Sequence, residues 1–397
     1  MSEEKVLVIS KPIYNNILPL VDFPKNKDVF SINEPLESII GEANVAAYIL
    51  GKYGIPVAYT GIVGNDEAGE KFKNFLSNVN VNIKYIETDY EQKTDIYHTI
   101  INTEKIGYSH IKVNSMQHDL TKFKYDFNPK YIVFDDRDFS GANAALNNFP
   151  NIPAIFYGKN PNKDAINMCK RADYIVCNIN FASKLAGMEI VLNKPKTIVN
   201  LYQKLVDLFK GVWIITLGEY GVIYCNNNNV KMIPALKVDV VDRDKAGSVF
   251  FGIFAYSIVS GLDIENAVRL ANIGASSSLN QIGAINGILD LGNLLKHKKS
   301  EVQNNVVNPF NVDNVNPTNN VQTINPEVSV QSQPNNMGVN QQVQNNSNQV
   351  VQSSMMQGPS QTVNQETQNN GQVQHTVVSQ PVQSNVSLQN NVNEKVQ

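Results

Sequence analysis

A chain of 397 residues, 42% hydrophobic and 17% charged with a formal charge of −3, has material for more than one compact body. It carries no basic stripe, which excludes a dedicated nucleic-acid binder. No apolar run reaches the roughly 20 residues of a membrane span, so no membrane partner is expected. Cys169, Cys177 and Cys225 are odd in number and lack metal-ligand or redox spacing. They suit a reducing compartment as single buried thiols, and the opening MSEEKVLVIS, acids followed by a short apolar run, does not read as a signal peptide. The expected location is the cytoplasm.

Taken in chain order, short apolar runs alternate with helical patterns. Val6–Ile9, Val57–Thr60, Tyr131–Phe134, Ala154–Tyr157, Tyr174–Cys177, Trp213–Thr216 and Val222–Cys225 read as strands. Ala43–Tyr53, Glu67–Asn78, Lys163–Arg171, Phe181–Ala186 and Thr197–Phe209 carry helical spacing. This order predicts right-handed βαβ units and a mostly parallel sheet covered on both faces. Ile83–Glu87, Ile96–Asn102 and Tyr108–Val113 alternate apolar and polar residues instead. They predict a small antiparallel sheet with one wet face, inserted around 83–115 as a lid over a cleft or as a dimer surface.

Further on, Val238–Gly261 reads VDVVDRDKAGSVFFGIFAYSIVSG. An apolar run leads to Asp242, then to a short loop with Lys245, Ala246 and Gly247, then to a long apolar helix. A small-residue loop opening a helix aims unpaired N–H groups and the positive dipole end at one point, so it is an anion site by construction. Asp263 is placed to cap the next helix, which carries the small run Gly274 to Ser278.

Beyond Ser300 the composition changes. All 16 tyrosines, the tryptophan and the cysteines lie before that point, and the remainder holds one aromatic, Phe310. Its charges sum to −4, which leaves the first 300 residues at +1. Residues 301–397 are expected to be a disordered Asn/Gln-rich tail, since so little apolar surface cannot offset ordering entropy. Both an inert extension and a tail that binds protein partners or self-associates fit this composition.

The ordered motifs resemble the ribokinase-like sugar kinases, the PfkB carbohydrate kinase family, over about residues 5–295. ANVAAYILGKYGIPVAYTGIVGNDEAG is similar to the family's N-terminal signature, with Ala43, Asn44, Gly54, Gly61, Gly64, Asp66 and Gly69 in the expected order. Ile214-Ile-Thr-Leu-Gly-Glu-Tyr-Gly-Val resembles its T-L-G-x-x-G turn beside the nucleotide, and the Asp242–Gly252 stretch, Ala271-Asn272 and Gly283-Ala284 follow in family order. The resemblance implies a three-layer α/β sandwich and transfer of the γ-phosphoryl of ATP, with magnesium, to a sugar or nucleoside hydroxyl. It also implies a homodimer formed through the lid.

By the same resemblance, Thr216, Gly218, Gly221, Lys245, Asn272 and Gly283 would bind the nucleotide. Ala246 and Gly247 would form the anion hole, and Asn15, Gly41 and Asn44 would hold the acceptor. Against the family's D-T-x-G-A-G-D, however, this chain ends its loop in Ser248, so the general base is replaced by a hydroxyl, a loss of about 10²–10⁴ in rate. Lys245 stands at the first glycine of the hole and reads as a solvated lysine or as a phosphate contact. Phe181 stands at the acid of the N-x-x-E motif, Asn15 at the acceptor-gripping Asp, and Ile40-Gly41 at the acceptor-pocket double glycine. No metal ligand is assigned. Asp244 could replace the base only from the loop, four residues early. Asp135-Asp136-Arg137-Asp138 reads mainly as a charged loop and Tyr157-Gly-Lys-Asn160 as a weak phosphate contact. The expected protein is a catalytically impaired kinase with residual nucleotide or sugar binding. The alternatives are an active ATP-dependent kinase with a rewired site and an assembly protein acting through its tail.

Overall fold

The computed structural model describes residues 4–303 apart from 21–22, 24–28, 30–31, 33, 103–106, 118–123, 192–193, 227–228 and 284. The tail reading for 301–397 therefore falls almost wholly outside the described residues, as do His118 and Ala284.

The chain opens with β1 (Val6–Ile9), β2 (Ile13–Leu20), β3 (Leu36–Ile39), α1 (Glu42–Lys52), β4 (Val57–Gly64), α2 (Glu67–Ser77) and β5 (Asn82–Asp89). Next come β6 (Asp95–Asn102), β7 (Gly107–Val113), β8 (Tyr131–Asp135), α3 (Phe139–Asn148), β9 (Ala154–Gly158), α4 (Lys163–Cys169), β10 (Tyr174–Asn178), α5 (Ile179–Ala186) and α6 (Pro195–Leu208). The last part is β11 (Val212–Thr216), β12 (Val222–Asn226), β13 (Asn229–Ile233), α7 (Ala246–Val259), α8 (Ile264–Ser278) and α9 (Leu291–Gln303). Nine strands form one sheet in the order β13-β12-β11-β10-β9-β8-β1-β4-β5, parallel except for the β12 and β13 edge. Successive residues of β1 point to opposite faces, as a pleated strand requires. Val6 and Val8 join the core under α1, α7 and α8, and Leu7 and Ile9 join the core under α3 to α6.

Chain order reverses at β1, which lies between β4 and β8. That switch point is where open α/β sheets gather ligands, at the carboxyl ends of the strands. α7 starts above it and is buried nearly all round. Gly252 admits α1 to close range, since a Cβ there would sit 2.6 Å from Ile49 Cδ1 and 3.0 Å from Ala46 Cα. The head of α7 is thereby fixed against the head of α1.

The lid reading needs correction. The strand expected at 83–87 is β5, which pairs in parallel with β4 at the edge of the large sheet. It follows α2 as an ordinary crossover, and its alternation is that of a half-exposed edge strand. The four-stranded sheet takes its other members from upstream, in the order β3-β2-β6-β7. It is not wholly antiparallel either, because β2 and β6 run parallel from Ile13↔Asp95 to Leu20↔Asn102.

Candidate functional site

Glu42 opens α1 yet is only 4% exposed. An acid suits a helix N-terminus, but one this buried needs partners. Arg137 supplies Nε at 3.3 Å and Nη2 at 3.1 Å to Oε2, and Lys159 places Nζ 3.1 Å from Oε1. Burial pushes the Glu42 carboxyl up, but Arg137, Lys159 and Lys245 together outweigh it and hold it at about 2. Gly41, at φ 123°, makes the turn into α1, and a Cβ there would meet Asn44 Nδ2 at 2.7 Å.

Asp135 ends β8 with no exposure. Its oxygens lie 2.9 and 3.0 Å from Ser10 Oγ, and it accepts from the backbone N–H of Ala43 at 2.9 Å. Burial lifts its carboxyl to about 7, with Glu42 adding to the rise and Arg137 opposing it. The carboxylate of Asp136 caps the turn after β9, accepting from the N–H of Lys159 at 3.0 Å and Asn160 at 2.5 Å. This stretch is a structural node at the switch point rather than a solvated charged loop.

The loop before α7 faces this cluster. Asp242 Oδ2 accepts from the Gly283 N–H at 2.9 Å and Oδ1 from the Asp244 N–H at 2.8 Å. Lys245 caps α7 in the left-handed region, φ 70°, at a cost of about 1 kcal/mol for a non-glycine residue. Its side chain is 8% exposed and ion-paired with Asp244, which corrects the reading of a solvated lysine. Burial pushes the Asp244 carboxyl up, yet His110 and Lys245 outweigh that and hold it below its usual range. Ser248, 1% exposed, sits in the first turn of α7, and its Oγ has no hydrogen-bond partner among the described residues.

The other expected residues divide into two groups. Gly218 (φ 63°) and Gly221 (φ 106°) form the turn after β11, where Thr216 Oγ1 donates to the Cys177 carbonyl at 3.3 Å. Gly283 (φ 82°) meets the loop through Asp242, while Asn272 Nδ2 is tied to the Pro234 carbonyl at 2.8 Å. Ala246 and Gly247 open α7 as expected, with Tyr157 Oη 2.9 Å from where a Cβ on Gly247 would stand. Asn44 is fully buried and holds the fold. It donates to the carbonyls of Lys11 (2.9 Å) and Ile40 (2.8 Å) and accepts from Tyr59 Oη (2.6 Å). We expect Asn44→Ala to lower stability by about 3 kcal/mol, since it removes the amide donor from two carbonyls while Tyr59 Oη keeps the Ser10 carbonyl at 2.8 Å, and denaturant unfolding checks this. Asn15, on β2 of the small sheet, accepts at Oδ1 from Thr99 Oγ1 of the neighbouring β6 at 2.7 Å.

The model of the pfkB family carbohydrate kinase matches residues 41–291, more than half of the chain. The chain belongs to this family. Ribokinase of Lactococcus lactis is 33% identical over 104 residues, which is 26% of this chain and 34% of that protein. The chain thus spans about a third of the length of that curated relative. Among solved structures, ribokinase of Thermotoga maritima superposes with a TM-score of 0.62 at 19% identity, covering 75% of this chain and 99% of its own. Arabidopsis thaliana ribokinase, solved with ribose and ATP, gives 0.60 at 18% identity over 74% and 98%.

Measured against the pfkB pattern, the magnesium position does not fit a metal. Asn178 spends its Oδ1 capping α5, accepting from the Phe181 N–H at 2.9 Å, and Phe181 has no exposure and belongs to the core. Among the described residues no group of three or more His, Cys, Asp or Glu side chains is placed to hold a metal ion. The sequence reading missed Glu42 as the centre of the charge cluster and His110 as a partner of the α7 loop. The one signal for Glu42 was an acid at the mouth of a small-residue apolar helix; His110 gave none.

Proposed function

We propose that this pfkB-family chain binds a nucleoside triphosphate, with its terminal phosphate at the head of α7, beside a small hydroxylated ligand, and transfers the phosphoryl group slowly or not at all. The observation that carries this reading is Ser248. A hydroxyl buried at the helix head, without a hydrogen-bond partner among the described residues, keeps the shape of the site but is a poor proton acceptor at neutral pH. The nearby carboxylates do not compensate. Asp244 is ion-paired with Lys245, and Asp242 accepts two backbone N–H groups. Nucleotide binding is supported by the α7 head, which has no side-chain cap, and by ATP in the related Arabidopsis protein.

The test combines titration calorimetry of the full chain with ATP and turnover against a panel of pentoses, hexoses and nucleosides. The wild-type chain is expected to bind ATP while turning over at background. Ser248→Asp is expected to raise transfer by about 10² or more. Wild-type turnover equal to that of Ser248→Asp would refute the impairment. Loss of turnover in Asp244→Ala with retention in Ser248→Ala would mark an active, rewired enzyme instead.

A further inference from the structure

The four-stranded sheet reaches the α7 loop through His110 of β7, and the hydrogen bonds around this ring define its protonation. Thr99 Oγ1 donates its single hydrogen to Asn15 Oδ1 at 2.7 Å. Towards His110 Nδ1, 2.9 Å away, Thr99 can therefore only accept. This network assigns the first ring proton to Nδ1 and leaves Nε2 of the neutral ring as an acceptor. Nε2 lies 3.2 Å from Lys245 Nζ and 3.5 Å from Asp244 Oδ2. Among the described residues, the ring also meets the rings of Tyr97 on β6, at 5.8 Å, and Tyr108 on β7, at 5.1 Å, and Tyr108 also lies 5.7 Å beneath Lys245 Nζ. Lys159 and Glu42 also act electrostatically on Lys245, in opposite senses.

We propose that His110 is a proton-operated latch that sets the affinity of the α7 head for anions. With the ring neutral, the Lys245 ammonium is shared between Nε2 and the Asp244 carboxylate, and its charge is spent within the loop. When the ring takes one proton from solvent, Nε2–H becomes a donor to Asp244 Oδ2, and the imidazolium repels the ammonium. Lys245 is then released beside the first N–H groups of the helix it caps, adding an unspent cation to an anion site. Proton and anion therefore bind with positive coupling, each strengthening the other by the same factor. The inference rests on the reading that this loop takes the terminal phosphate.

Sulfate is the probe, because it stays a dianion where phosphate esters titrate. The full chain is expected to bind sulfate about tenfold more tightly near pH 6 than near pH 8, and His110→Gln to remove that difference. Sulfate should also move the His110 ring resonance, assigned by sequential NMR, to a higher titration midpoint. This second readout needs no variant. Equal sulfate affinity at both pH values, or a pH difference that survives His110→Gln, overturns the latch. If a non-hydrolysable ATP analogue still binds while sulfate shows no pH dependence, the nucleotide reading stands and the latch alone falls. If neither ligand binds at either pH, both fall together.

Discussion

Restoring the family's acid at position 181 is expected to unfold the protein rather than restore a metal site. Phe181 has no exposure, and its ring meets Phe156 edge-on at 6.5 Å, which in turn stacks on Phe134 at 5.1 Å. The ring also occupies the space beside Gly158, where a Cβ would lie 2.5 Å from Phe181 Cζ. Removing the ring forfeits about 3–5 kcal/mol of packing, as in other buried Phe→Ala changes. A glutamate adds the cost of a carboxyl in an apolar pocket, which must either desolvate its charge or take up a proton. Together these approach the roughly 5–15 kcal/mol that holds a domain folded. Phe181→Glu should therefore be recovered unfolded or aggregated by gel filtration and show no cooperative denaturant transition. Phe181→Leu should fold with a loss of about 1–2 kcal/mol, since it keeps most of the apolar volume. A well-folded Phe181→Glu chain that gained magnesium-dependent ATP binding would mean the core had not closed over this position.

The contrast between Phe181 and Glu42 shows what the sequence made legible. Strands β1, β4 and β8 to β12 lie where apolar runs placed them, because a strand buried on both faces needs little beyond continuous apolar side chains. Phe181, Lys245 and Ser248 stood out because each departs from a motif of fixed local spacing. β2 and β3 gave no such signal. Asn15, Asn16 and Pro19 break up β2, and its parallel partner β6 begins 82 positions further on, so the pairing is set by tertiary contact. The charge cluster was hidden for the same reason. Glu42 meets Arg137 across 95 positions and Lys159 across 117, and His110 meets Lys245 across 135. Local pattern treats each as an isolated surface charge. Only the convergence of β1, β8 and the heads of α1 and α7 at the switch point turns them into one network.

That network makes Glu42→Gln the most consequential change at the site that leaves the backbone alone. The amide keeps the shape but removes the charge facing Arg137, whose side chain is only 18% exposed. Lys159, 44% exposed, can swing into solvent, so the penalty falls chiefly on the Arg137 guanidinium, which keeps Asp135 Oδ2 at 3.8 Å as its remaining close carboxylate. Breaking one side of such a buried pair costs about 3–5 kcal/mol, whereas Glu42→Leu with Arg137→Met should recover most of it. The pH profile separates this from simple loss of packing. Glu42 has its folded carboxyl depressed to about 2, so its contribution is complete above the unfolded value of 4.5 and fades as pH falls towards 2. Asp135 works in the opposite sense. Its folded carboxyl is raised to about 7, so its contribution is complete below the unfolded 3.8 and is lost as pH rises through 7. Wild-type stability from urea unfolding should therefore peak at about pH 4 and fall both as pH drops towards 2 and as it rises towards 7. Glu42→Gln should remove the acid limb. It should also soften the limb at rising pH, because Asp135 loses a like charge beside it. A Glu42→Gln chain within 1 kcal/mol of wild type, with its acid limb intact, would show that the ion pair is solvated and that the switch point is not held by charge.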